Sequence, residues 1–156
     1  MKTLQITEKN ARRLYATASA EFRTTLEDTF GKEFFFGKIT DRIKTYEDAC
    51  EELGEQPINE KMLRLAGFTE DEINYRKIKT ITKALNEGCP PDYTNDEQPK
   101  WFPWFKVSSS GFVFDHTYYR CSCACAGGGS RLCLKNSDLA EYAGKQFTEL
   151  YRNFIL

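Results

Sequence analysis

The chain has 156 residues, 40% of them hydrophobic and 29% charged, with 22 basic against 23 acidic side chains. Twelve Phe, eight Tyr and two Trp exclude the composition of a disordered chain, and the near-neutral charge excludes the strong field of a dedicated nucleic-acid binder. No apolar run approaches the ~20 residues of a membrane span. Arg12, Arg13 and Glu21 interrupt the N-terminal stretch, which therefore lacks a signal-peptide core. A cytoplasmic protein with reduced thiols is expected, with no membrane partner.

The first half reads as helices. Thr7 is a candidate N-cap, and Ala11, Leu14, Ala18, Phe22, Leu26 and Phe30 follow at helical spacing until Gly31. This predicts one long helix with an apolar stripe. Phe34-Phe35-Phe36, between two glycines, is a run that fits a short buried strand or a turn. Thr45 with Asp48 forms a capping box for a short helix closed by Gly54. A second short helix is expected over Asn59 to Ala66. Thr69 with Glu72 opens a longer helix, carrying Ile73, Ile78, Ile81 and Leu85 and ended by Gly88. Pro90 and Pro91 forbid its continuation.

Residues 89–100 are polar and acidic and read as a loop. The chain then turns aromatic and β-branched. Trp101 to Val107 and Phe112 to Tyr119 predict two strands around Ser108-Ser109-Ser110-Gly111. A third strand is expected through Cys121–Ala126, and the chain returns over Arg131–Lys135 after Gly127-Gly128-Gly129. Ser137 is the expected cap of a last helix, whose stripe is Leu139, Tyr142, Ala143, Phe147, Leu150 and Phe154. The expected architecture is a single α+β domain over 1–156. A helical part, 1–88, and a loop, 89–100, precede a three- to four-stranded antiparallel sheet packed against the C-terminal helix, 101–156.

Chemistry-bearing residue types are present but dispersed. Cys121, Cys123 and Cys125 alternate along a predicted strand, with Cys133 across the glycine turn. Zinc needs four ligands converging on a tetrahedron, and sulfurs spread along a flat strand do not converge. The better expectation is that these thiols act as small buried hydrophobes, with no metal. His116, the lone histidine, follows Asp115, and adjacent strand residues point to opposite faces, so Asp115 is not expected to orient it. Gly127-Gly128-Gly129-Ser130-Arg131 lacks the Lys-Ser/Thr and the following helix of a phosphate cradle. Arg76, Lys77, Lys79 and Lys83 give the 70–87 helix a basic face, which suits phosphate contacts and equally suits plain solvation. Glu47, Asp48, Glu51 and Glu52 read as a solvated face. No catalytic residue, cofactor site or small-molecule ligand is identified.

The most unusual segment is Trp101-Phe102-Pro103-Trp104-Phe105. As a strand it is apolar on both faces, and Pro103 places it at an edge because it cannot donate to a ladder. An uncovered apolar edge is an association surface. Trp101, Phe102, Trp104 and Phe105 are therefore the candidate interaction surface, for another protein or for a second copy.

Two stretches carry a family likeness. Lys38-Ile39-Thr40-Asp41-Arg42-Ile43-Lys44-Thr45-Tyr46-Glu47-Asp48-Ala49-Cys50 is one. The other is Ser130-Arg131-Leu132-Cys133-Leu134-Lys135 with Leu139-Ala140-Glu141-Tyr142-Ala143-Gly144-Lys145-Gln146-Phe147 and Leu150-Tyr151. Both resemble small uncharacterised proteins of Bacteroidetes phages and prophage-like mobile elements. The resemblance implies a bacterial cytoplasmic or virion setting and an accessory or structural role. It supplies no activity and no site residue. The expected function is thus a non-enzymatic accessory protein working through protein contacts. The alternatives are a nucleic-acid-associated protein using the basic helix, and a small enzyme whose cleft brings His116 or a thiol beside a carboxylate.

Overall fold

The structure, a computed structural model, describes residues 6, 8–89, 91–109, 111–121 and 131–156. The chain forms two compact units, Met1–Arg42 and Ile43–Leu156.

The first unit is helical: α1 (Glu8–Thr17), α2 (Ala20–Phe30), α3 (Lys32–Phe36) and α4 (Ile39–Arg42). The single long helix expected here is two. Ser19 breaks it, because its hydroxyl accepts the Phe22 N–H at 3.4 Å and starts α2 afresh. Serine favours that cap position over a helix interior for this reason. Gly31, at φ 85°, ends α2. The Phe34-Phe35-Phe36 run is helical, not strand or turn. Its rings find partners on the neighbouring helices: Phe35 stacks on Tyr15 at 4.2 Å and Phe34 on Phe30 at 5.2 Å.

The second unit comprises α5 (Tyr46–Leu53), α6 (Glu60–Leu65), α7 (Glu70–Leu85), β1 (Lys100–Ser108), β2 (Gly111–Arg120), α8 (Ser137–Gln146) and α9 (Thr148–Ile155). The first capping box is complete. Thr45 Oγ1 accepts the Asp48 N–H, and Asp48 Oδ2 accepts the Thr45 N–H at 2.8 Å. Before α7, Glu72 accepts the Thr69 N–H at 2.8 Å. Helix α7 lies between α5 and α9 and supplies the centre of the core. Ile73, Ile78, Ile81, Ala84 and Leu85 are all buried. Each of the larger ones contributes about 1.5–3 kcal/mol by leaving water. Tyr46 is buried beside them and its hydroxyl accepts the Ile58 N–H at 3.0 Å. Burial pushes its phenol up to about 12.

The mixed α and β character holds, but the sheet among the described residues has two strands, fewer than expected. The expected third strand falls almost wholly on residues 122–130, outside the described residues. The return segment makes one bridge only, Leu134 with Trp101. A side chain takes the place of a strand neighbour there. Buried Asn86 donates to the Cys133 carbonyl at 2.9 Å and accepts the Lys135 N–H at 3.0 Å. Backbone groups satisfied in this way need no ladder.

The last helix is also two, broken at Phe147, whose φ and ψ are −112° and 27°. Its cap is Asn136, not Ser137: Asn136 Oδ1 accepts the Leu139 N–H at 2.9 Å. The Ser137 hydroxyl is instead 2.9 Å from that of Thr117 on β2. Among the described residues no helix is long and apolar enough to cross a membrane.

Candidate functional site

The β1–β2 ribbon starts at its turn in simple antiparallel register, Ser108 opposite Gly111 and Phe105 opposite Phe114. A bulge then inserts Asp115, so Trp104 faces His116, Pro103 faces Thr117 and Phe102 faces Tyr118. Pro103 sits on the outer edge. Trp101 exchanges both backbone hydrogen bonds with Leu134, at 3.0 and 2.8 Å. Two residues on, the nitrogen of Pro103 points the same way, and no bond to β2 is lost there.

The register sorts the side chains into two faces. One carries Pro103, Phe105, Phe114 and Thr117 and is covered by α8 and α9. Gly144 of α8 is what lets the helix come so close: a Cβ there would meet Phe114 Cε2 at 2.7 Å and Pro103 Cβ at 2.8 Å. Phe105 stacks with Phe112 at 4.7 Å and meets the ring of Tyr151 of α9 at 4.9 Å. Tyr151 is buried, and burial pushes its phenol upward; Thr82 Oγ1 is also buried and has no hydrogen-bond partner among the described residues.

The other face carries Phe102, Trp104, Lys106, His116, Tyr118 and Arg120. Trp104 is 53% exposed and Tyr118 41%. Their rings meet edge-on at 5.9 Å, His116 lies 6.1 Å from Trp104, and the Arg120 guanidinium sits over Tyr118 at 5.5 Å. The ribbon and the end of α9 enclose an open groove of about 890 Å³, completed by Leu132, Phe154 and Ile155. Arg120 and His116 line it, and no carboxylate does so among the described residues. That volume accepts a multi-residue body, not one side chain.

Of the four residues expected to form a contact surface, Phe102 and Trp104 hold the open face. Phe105 reaches the groove from the covered face, against Tyr151. Trp101 does not line it; its ring lies tilted against Tyr119 at 4.7 Å, beside the Leu134 bridge. Tyr118, Arg120, Leu132, Phe154 and Ile155 belong to the groove and were not signalled by the sequence pattern.

His116 departs from expectation. The bulge brings Asp115 and His116 onto one side, with His116 Nδ1 3.0 Å from Asp115 Oδ2 and Lys106 Nζ 3.4 Å from Asp115 Oδ1. The hydrogen bond from His116, then that from Lys106, holds the Asp115 carboxyl below its ordinary value. An Asp–His pair can position a proton. Here it stands beside Trp104, with no serine or cysteine lining the groove among the described residues.

The thiols lie elsewhere. Cys123 and Cys125 fall outside the described residues, and so does the Gly127–Gly129 turn. Cys121 is half-buried and Cys133 buried. Among the described residues no group of three His, Cys, Asp or Glu could hold a metal. Burial pushes the Cys133 thiol upward against a 3.2 Å contact with the Tyr93 hydroxyl, which makes it a poor nucleophile. Beside it Lys100 is buried, with no carboxylate paired to it among the described residues. Its ammonium donates to the Asn95 carbonyl at 2.6 Å and the Cys121 carbonyl at 3.1 Å, over the Tyr93 ring.

The basic face of α7 is largely engaged within the unit. Lys77 pairs with Glu60, Lys83 pairs with Glu55 at 2.6 Å, and the Arg76 guanidinium lies 4.7 Å over the Phe68 ring. Lys79 remains exposed and unpaired among the described residues. The chain matches no family model, no curated protein and no solved structure.

Proposed function

We propose that this chain is a non-enzymatic accessory protein, of the kind carried by phages and mobile elements, that works by seating another protein segment in the aromatic groove. One observation carries the reading. Trp104, Tyr118 and Phe102 stand together on a sheet face that no described element covers, and clustered aromatic side chains are what anchors a contact. Among the described residues the groove has apolar walls, one guanidinium and no carboxylate, so the segment it suits is apolar with an acidic neighbour. The Asp115–His116 pair has no serine or cysteine beside it among the described groove residues, which favours contact over catalysis.

A photoreactive phenylalanine analogue in place of Trp104 tests this in the producing cells, with the same group at Lys79 as the control. Protein adducts from position 104 alone, lost on adding Arg120→Glu, are expected. Adducts to nucleic acid, or none from position 104, overturn the reading.

A further inference from the structure

Resting on that contact reading, we infer that the segment seated in the groove belongs to a second copy of this chain, and that the segment is helix α6. The two surfaces lie on the same unit and fit each other in chemistry. Helix α6 carries the most exposed large apolar side chain among the described residues, Leu65, at 84%. Met62, one turn earlier and 61% exposed, lies on the same side of the helix. Among the described residues nothing covers either of them, so α6 presents a convex apolar knob. The groove is the concave counterpart, with room for a helical turn.

Charge agrees with this pairing. From Glu60 to Glu72 the chain carries four carboxylates against Lys61 and Arg64. Arg64 is taken up by Glu60 at 2.8 Å and Glu70 at 2.5 Å, leaving Asp71 exposed without a cation among the described residues. The groove offers the opposite: Arg120, whose guanidinium lies over the Tyr118 ring and has no carboxylate partner among the described residues. An acid-flanked knob and a cation-bearing groove attract, whereas two grooves face to face bring Arg120 toward its own copy.

A knob on one surface and a groove on another make a heterologous contact, which propagates into rings or open chains instead of stopping at a dimer. Sedimentation of the full chain across micromolar to millimolar concentration tests this with two exposed-site variants, Leu65→Glu and Trp104→Glu. The wild type is expected to grow beyond dimers, and each variant to lose association at least about 10-fold. An equimolar mixture of the two retains one intact knob and one intact groove, so it should stop at the dimer. Unchanged circular dichroism in both variants excludes unfolding as the cause, and a second pair, Met62→Asp with Arg120→Glu, serves if either fails to fold. A monomeric wild type at the highest concentration overturns the inference, as does a Leu65→Glu variant that still associates or a mixture that does not pair. If self-association fails while position 104 still forms adducts with another protein, the contact reading stands and only the second copy is wrong. If both fail, the groove is not a contact site.

Discussion

The two faces of the β1–β2 ribbon are built from the same kinds of residue and meet opposite fates. On one, Pro103, Phe105 and Phe114 lie under α8 and α9, fitted closely enough that Gly144 has no room for a methyl group. On the other, Phe102, Trp104 and Tyr118 line an open groove, which Pro103 and Phe105 reach from the covered side. A two-stranded ribbon is at best marginal in water and needs a helix on one side. Once that side is covered, the second face is free to be spent on something other than folding. Aromatic content alone therefore does not separate core from contact surface; what covers each face does.

Substitutions that respect this division should give very unequal effects on stability. Gly144→Val places branched carbons where Phe114 and Pro103 already sit. Prolines cannot rotate away, so a loss of about 3 kcal/mol is expected in urea unfolding. Phe114→Ala removes a half-buried ring from the same contact and should cost about 2 kcal/mol, less than a fully buried phenylalanine. If either change left stability unaltered, the covered face would not be holding the ribbon.

Tyr151 gives the covered face a pH signature. Burial raises its phenol, so the fold favours the neutral form. The unfolded chain ionises first, near pH 10. Its contribution to stability is therefore complete below about pH 10 and is lost as pH rises beyond that. Tyr151→Phe removes the titrating hydroxyl and keeps the buried ring, so stability at neutral pH should change by less than about 1 kcal/mol. It should also flatten the alkaline fall in stability. Part of the fall should remain, because the Tyr46 phenol is pushed up to about 12. An alkaline limb identical in wild type and variant would place Tyr151 outside the core.

How far the sequence foretold this division depends on the element. Helices α5, α6 and α7 were legible because their caps are local: Thr45 with Asp48, Asn59, and Thr69 with Glu72 declare themselves within four residues. The breaks at Ser19 and Phe147 were not, since an apolar stripe that continues across a kink reads as one helix. The sheet was over-read where Asn86 satisfies the return segment, a contact 47 residues away in sequence with no local mark. The groove was half legible. Trp101–Phe105 stood out by composition, but its partners on β2 depend on the bulge at Asp115. In the register set by the turn, Asp115 would oppose Trp104, and Thr117 and Tyr119 would take the open face. One extra residue exchanges them for His116, Tyr118 and Arg120. The same residue joins His116 to Asp115, which strict alternation forbids.

The sharpest use of the comparison is the substitution with the smallest expected effect on folding. Trp104 is one of the two tryptophans of the ribbon, and in a core its truncation would cost about 3–5 kcal/mol. It is 53% exposed, and its contacts are edge-on with Tyr118 and tilted with His116, both on the same open face. Trp104→Ala should therefore shift stability by less than about 0.5 kcal/mol, while weakening whatever occupies the groove at least about 10-fold. Urea unfolding and association measured on the same protein separate the two quantities. A large loss of stability would assign Trp104 to the core and leave the open face without its central ring. A small loss with undiminished association would mean that the ring is exposed and unused. Only the combination of intact folding and lost association fits a face that α8 leaves uncovered for a partner.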